Sequence, residues 1–333
     1  MIIRTQAYAR AGLIGNPSDG YFGKTISFIL KNFSAKVTLY ESPRLVILPQ
    51  RSDRLEFRDF GELIDDVRLH GYYGGVRLIK AAIKRFADYC LQQGFTLPDR
   101  NFTIEYDSDI PVRVGMAGSS AIVTATMRAL TAFYEVDIPK PILPNVILSV
   151  ELEELGIGAG LQDRVIQVYE GVVYMDFDKT RMGQLGHGLY EPLDPTLLPP
   201  IYVAFHGNLA EGTEVTHNDL RSRYNRGDPA VLAAIQRWAQ LTQQAKELIV
   251  TGRSREIGPL MNENYDLRAS LIKISHGNQK LVAIGRENGA AVNFAGSGGA
   301  VIGMYDGDPE RLARLTTAYA QMGARVVVPQ IVA

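Results

Sequence analysis

The chain has 333 residues, 46% hydrophobic and 21% charged, with 35 basic side chains against 36 acidic ones. That length suits two domains with sizeable cores, and a net charge of -1 excludes a global field that would draw nucleic acid or an anionic membrane. The single cysteine, Cys90, rules out an internal disulfide and a thiolate zinc cluster.

One lone thiol fits a reducing compartment. The N-terminal MIIRTQAYARAG lacks the apolar core of a secretory signal, and no apolar run reaches the roughly 18 residues of a membrane span. The expectation is a cytoplasmic protein, monomer or homodimer, with small-molecule rather than nucleic-acid or membrane partners. The five histidines form no H-E-x-x-H pattern.

Residues 15–27 read GNPSDGYFGKTIS. Gly23-Lys24-Thr25 matches the second half of a G-x-x-x-x-G-K-[ST] phosphate loop, but Ser18 stands where the first glycine belongs. A serine does not serve where that tight turn demands glycine, so Lys24 is not read as a phosphate-loop lysine. Short strands follow at 37–40 and 45–48, with Ser42-Pro43 between them as a turn. Leu78, Ile79, Ala82, Ile83, Phe86 and Tyr89 recur at helical spacing over 76–91, and Gly94 follows as a stop. A strand is expected at 102–106, a helix rich in small residues at 119–134, a helix at 145–155 ended by Gly156, and a strand at 172–177.

Pro192, Pro195, Pro199 and Pro200 mark the best boundary, giving domains 1–195 and 196–333. Beyond it come a strand at 201–205, long helices at about 230–250 and 256–274, and then a helix at 280–287. Strands at 290–294 and 301–305, a helix at 309–322 and a strand at 325–328 complete the chain. Setting the long helices aside, the order is β, α, β, β, α, β, a split-βαβ, ferredoxin-like arrangement. The fold class is therefore α+β.

Three stretches carry chemistry. PVRVGMAGSSAIVTAT, residues 111–126, follows a strand and opens a helix. Gly115 and Gly118 permit a tight turn and close approach, Ser119 and Ser120 stand where they can cap helix N–H groups, and a helix N-terminus attracts phosphate. The plainer reading is a capped helix after a turn. AVNFAGSGGAVIG, residues 291–303, places three glycines around Ser297 between two strands. That is more than a hairpin needs, and it points to close backbone approach, with a flexible hairpin as the alternative. ELEELGIGAGLQDR, residues 151–164, crowds Glu151, Glu153 and Glu154 at a helix end, where each opposes the macrodipole by roughly 0.3–1 kcal/mol. A bound cation is one compensation, and a solvated acidic face is preferred for Glu153 and Glu154. Asp163, after the Gly158-Ala159-Gly160 turn, is placed to accept a proton from a substrate hydroxyl.

Together these stretches resemble the GHMP kinase superfamily, over nearly the whole chain. Residues 7–17, AYARAGLIGNP, correspond to its first motif, Pro111 to Ala121 to its second, and Ala295 to Gly299 to its third. The departures are Tyr8 and Ala9 for the family's Pro and Gly, Asn16-Pro17 for its Glu-His pair, and one extra residue in the second motif. They, and Gly160-Leu161-Gln162-Asp163-Arg164-Val165, resemble the glucuronokinase branch.

The resemblance implies a ribosomal-protein-S5-like α/β domain followed by a ferredoxin-like domain. It implies ATP and Mg²⁺ as cofactors and a sugar, D-glucuronate, phosphorylated at its anomeric hydroxyl. A kinase for a heptose phosphate, galactose or arabinose, or a non-catalytic sensor, are the alternatives. By the same resemblance Gly115, Met116, Ala117, Gly118, Ser119 and Ser120 cradle the phosphates, with Gly296, Ser297 and Gly298 flanking them. Ser120 and Glu151 ligate Mg²⁺, with Glu154 in reserve. Asp163 orients or deprotonates the acceptor, and Arg10 stabilises charge on the transferred group. Asn16 and Asp19 face the sugar unless they serve only as Asx-turns. Lys24, Arg44 and Arg164 are the candidate cations for its carboxylate. The 71–76 region is the expected adenine wall.

Overall fold

The computed structural model describes residues 1–50, 53, 58, 59, 61, 63, 64, 74–209 and 213–331. Positions 71–73 of the expected adenine wall lie outside them. Strand β1 (Ile2–Ile14) pairs antiparallel with the 19-residue β2 (Lys24–Ser42). The sequence pattern showed only residues 37–40 of this pair. From Ala7 onward nearly every β1 residue is buried, so the alternation that marks a one-sided strand is absent.

Strand β2 is the axis of the first sheet. Its C-terminal half pairs with β4 (Asn101–Ser108), which β3 (Val46–Ile47) joins in parallel. Its N-terminal end pairs with β5 (Val172–Asp176), and β6 (Leu189–Leu193) closes that side. Helices α1 (Gly75–Gln93) and α2 (Gly118–Tyr134) supply core residues such as Ile79, Phe86, Ala121, Val123 and Leu130. Gly94 ends α1 in the left-handed conformation, as the stop signal implied.

The helix expected over 145–155 is α3 (Leu143–Ser149) running into a π-helical turn at Val150–Glu154. Such turns rotate the following side chains, and here Glu151 is 1% exposed. After it come α4 (Gln162–Tyr169) and α5 (Lys179–Leu185).

A second, four-stranded sheet holds β7 (Ile201–Phe205), β8 (Ala291–Phe294), β9 (Ala300–Met304) and β10 (Arg325–Val327) in the order β10-β7-β9-β8, all antiparallel. Helices α6 (Thr213–Asn225), α7 (Pro229–Val250) and α8 (Gly258–Leu271) stand between β7 and α9 (His276–Glu287), and α10 (Pro309–Ala320) links β9 to β10. Four strands with two crossover helices give the split-βαβ arrangement read from the sequence. Among the described residues no helix is long and apolar enough to cross a membrane.

A buried amide network ties the two sheets together. Asn264 of α8 accepts from Gly15 N–H at 2.8 Å and donates to Asn16 O at 3.0 Å and to Asn293 Oδ1 at 3.2 Å. Asn293 donates to Leu13 O and Asn16 Oδ1, and Asn16 Nδ2 donates to Phe294 O at 3.0 Å. This network fixes the end of β1, and hence the site, against the second sheet.

Candidate active site

Two glycine loops are fastened to β1. Arg10 N–H donates to Met116 O at 3.2 Å, and Gly12 N–H donates to Ala295 O at 2.8 Å. Those bonds fill the edge of β1 that β2 leaves open. The loops also touch each other. A Cβ on Gly296 would lie 2.1 Å from Gly115 O, and one on Gly115 would lie 2.9 Å from Gly298 O. Neither position therefore has room for a side chain.

The loop before α2 is bent in an anion-binding manner. Arg113, Gly115 and Ala117 all have positive φ, between 61° and 67°. Alternation of left-handed residues turns successive N–H groups into one concavity, a nest for an anion. Ala117 is the residue before α2, and no side chain caps the helix. This departs from the capping expected of the serines. Ser119 Oγ donates instead to Glu151 Oε1 at 2.8 Å, and Ser120 Oγ to Ala117 O at 3.1 Å. Uncapped N–H groups and the helix dipole both favour a phosphate there.

Arg10, 6% exposed, joins these loops to the acceptor side. Its Nη1 donates to Gly115 O at 2.6 Å and to Ala295 O at 2.7 Å, while Nε donates to Asp163 Oδ1 at 2.6 Å. One guanidinium therefore touches both glycine loops and the carboxylate expected to meet the acceptor hydroxyl. Asp163 lies in the first turn of α4. Its Oδ2 is 3.4 Å from Arg164 Nη1.

Asp19 stands beside it. Gln162 N–H donates to Asp19 Oδ2 at 3.3 Å, and a Cβ on Gly160 would fall 2.0 Å from that oxygen. Gly160 is thus glycine because Asp19 rests on it. Burial, then the negative charge of Asp163, push the Asp19 carboxyl up to about 6, against the pull of Gln162 N–H, Arg10 and Arg164. Arg164 is buried, donates through Nη2 to Glu151 Oε2, and donates through Nη1 to Gly160 O at 2.9 Å.

Several sequence expectations need correction. Lys24 does not face the site. Residues 25, 27 and 29 of β2 turn toward α4, whereas Lys24 lies on the opposite face, bound to Asp176 at 2.6 Å and Tyr174 Oη at 3.2 Å. Arg44 is exposed beyond the far end of β2. The side chain of Asn16 is taken up by the amide network, neither a sugar contact nor a simple Asx-turn. Ser119, not Ser120, meets Glu151. Glu154 is bound by Lys84 at 2.7 Å and Glu153 by Arg85 at 3.0 Å, so α1 supplies the charge that offsets the acidic helix end.

Other residues escaped the sequence reading. Arg268, buried on α8, donates to Gly296 O at 2.8 Å and Ser297 O at 3.0 Å and covers the Phe294 ring. Asn278 Oδ1 accepts from Gly299 N–H at 2.8 Å. Gln167 donates to Ala117 O at 2.9 Å and to Tyr8 O at 3.1 Å, holding the bend before α2. No local pattern flags these side chains, because each acts on backbone far away in sequence.

Glu151 with Ser119 fits a magnesium ion bound together with a nucleotide. Hard oxygen donors suit Mg²⁺, which takes one or two protein ligands and completes its shell with phosphates and water. Among the described residues no group of three acidic, histidine or cysteine side chains is placed to hold a metal by itself.

A family model described as the GHMP kinases N terminal domain matches residues 77–171, and one described as GHMP kinases C terminal matches residues 245–321. Glucuronokinase 1 of Arabidopsis thaliana is 41% identical over 306 residues, covering 90% of this chain and 84% of the relative. Probable glucuronokinase 2 of the same plant is 41% identical over 308 residues, with the same coverage. Among solved structures, Lactococcus lactis galactokinase complexed with galactose has a TM-score of 0.78 over 99% of this chain and 93% of its own. At 14% identity that likeness speaks for the fold alone.

Proposed function

The chain belongs to the GHMP kinase family, and from that premise we propose that it transfers the terminal phosphoryl group of ATP to the anomeric hydroxyl of D-glucuronate, giving glucuronate 1-phosphate and ADP. The reaction class, transfer to a sugar hydroxyl, follows from the family and its 41%-identical relatives. The observation that carries the proposal is the Arg10 guanidinium, which holds Asp163 and both glycine loops at once.

Phosphoryl transfer depends on positioning and on stabilising charge, with little covalent work for the protein. The nest and uncapped end of α2 bind the phosphates, and the Gly296–Gly298 loop braces that nest from behind. Arg10 keeps positive charge between phosphate and acceptor. Asp163 orients the acceptor hydroxyl and takes its proton. Asp19 accepts further sugar hydroxyls. Arg164, alone among the three cations considered, lies beside both acceptor carboxylates, which supports it as the partner of a substrate carboxylate. Glu151 with Ser119 or Ser120 would hold Mg²⁺, which neutralises charge on the phosphates when bound.

The test is ³¹P NMR of the enzyme incubated with ATP, Mg²⁺ and D-glucuronate. A phosphate resonance coupled to the anomeric proton is expected. ATP consumption that yields only inorganic phosphate, or phosphate on another hydroxyl, would sink the proposal.

A further inference from the structure

Arg164 and Glu151 form a buried ion pair at a place where two other partners are due. Glu151 is 1% exposed and Arg164 3%. Glu151 uses Oε1 for Ser119 and Oε2 for Arg164. Arg164 Nε is buried without an acceptor. Nearby, Gln162 Oε1 is also buried without a donor, at the first position of the same helix. Buried polar atoms are nearly always paired, so an unpaired donor and an unpaired acceptor on one turn of α4 call for partners that the protein itself does not supply. A divalent cation bound beside Ser119 at Oε1 draws on the charge of the same carboxylate and repels the guanidinium on Oε2, so its arrival weakens the hold of Arg164.

We infer that Arg164 is a specificity-determining residue that works by exchange. Its guanidinium occupies Glu151 while the site is empty. Binding of the Mg²⁺-nucleotide at Glu151 frees Nη2, which turns to the carboxylate of the incoming sugar acid. Nη1 keeps its hold on Gly160 O and Asp163 throughout, so the movement is a rotation of the planar fork and not a withdrawal of the side chain. The carboxylate also restores charge balance after a dication has been placed beside a buried arginine. Arginine suits the role because its fork binds a carboxylate through two N–H groups. This inference rests on the proposed acidic-sugar substrate.

The consequence is a coupling between two ligands that depends on the sugar's charge. By linkage the sugar acid must tighten Mg²⁺-nucleotide binding by the same factor as the nucleotide tightens the sugar. A neutral sugar of the same shape must not.

The test is calorimetric titration of the enzyme with a non-hydrolysable ATP analogue and Mg²⁺, alone and with saturating D-glucuronate or D-glucose. About tenfold or greater tightening by glucuronate is expected, with little change from glucose. In R164Q the Mg²⁺-analogue alone should bind at least as tightly as to the parent, and the glucuronate effect should vanish. R164K, which keeps the charge but not the fork, should retain only part of it. Equal tightening by the two sugars, no tightening by either, or an undiminished glucuronate effect in R164Q overturns the exchange. Should R164Q not fold, the parent's response to the two sugars and the R164K titration decide. Glucuronate that is phosphorylated without acid-specific coupling defeats the exchange alone, whereas glucuronate that is not phosphorylated defeats the substrate assignment and the exchange together.

Discussion

Burial opposes the charge of Asp19 and Asp163 adds repulsion, which together raise its carboxyl to about 6. In an unfolded chain an aspartate ionises near 3.9. The folded form therefore holds its proton more tightly than the unfolded form. Stability is fully present below about pH 4 and is lost as pH rises through about 6, by at most about 3 kcal/mol at the ordinary conversion of a pKa shift. Asp19→Asn removes that titration. Its thermal midpoint should exceed the parent's at pH 7.5, with the gap closing toward pH 4.5, while turnover falls by about 100-fold or more. A gap that is the same at both pH values would contradict the assigned cause. Asp163→Asn should lower kcat by about 1,000-fold and leave nucleotide affinity within about threefold, measured by calorimetry. Asp163 was readable from the glycine turn beside it. The resting place of Asp19 on Gly160 was not, because the two meet across 140 intervening positions that only the fold brings together.

The two glycine loops act as one element because each fills the other's missing side chains. Gly296→Ala drives a Cβ into the Gly115 carbonyl at 2.1 Å, backbone against backbone. Neither partner can yield without moving the phosphate nest, so nucleotide binding should weaken about tenfold or more. Gly158→Ala is the control, since a Cβ there meets nothing within 4 Å. Its stability and nucleotide affinity should stay within about 0.5 kcal/mol of the parent. A harmless Gly296→Ala would remove the loop-on-loop account. A glycine surplus is a signal that survives in the sequence, because only close approach or an unusual φ makes it useful. Strand β1 left no such signal, for it is covered on both faces over its second half. The π-helical turn that carries Glu151 inward was hidden as well, since 145–155 reads as an ordinary helix.

At the scale of the molecule, the amide network of Asn16, Asn264 and Asn293 holds the sugar-side strand against the second sheet. Asn264→Ala orphans Gly15 N–H, Asn16 O and Asn293 Oδ1 in a buried place. Unfolding free energy, measured by denaturant titration, should drop by about 2–4 kcal/mol; a loss below about 0.5 kcal/mol would mean the network is not structural. The element order of the second sheet was legible from strand and helix periods once the long helices between β7 and α9 were set aside. The way α8 reaches back to β1 and to the Gly296 loop was not, because Asn264 and Arg268 look like ordinary polar residues of a long helix. The central claim is an acidic sugar phosphorylated at a site that Arg10, Asp163, Asp19 and Arg164 share. Its most direct measurement is kcat/KM for ADP release with Mg²⁺-ATP and, in turn, D-glucuronate, D-galacturonate, D-glucose, D-galactose and L-arabinose. The account predicts the highest value for glucuronate, with at least about 100-fold discrimination against glucose. Turnover of a neutral sugar with glucuronate inert would contradict it.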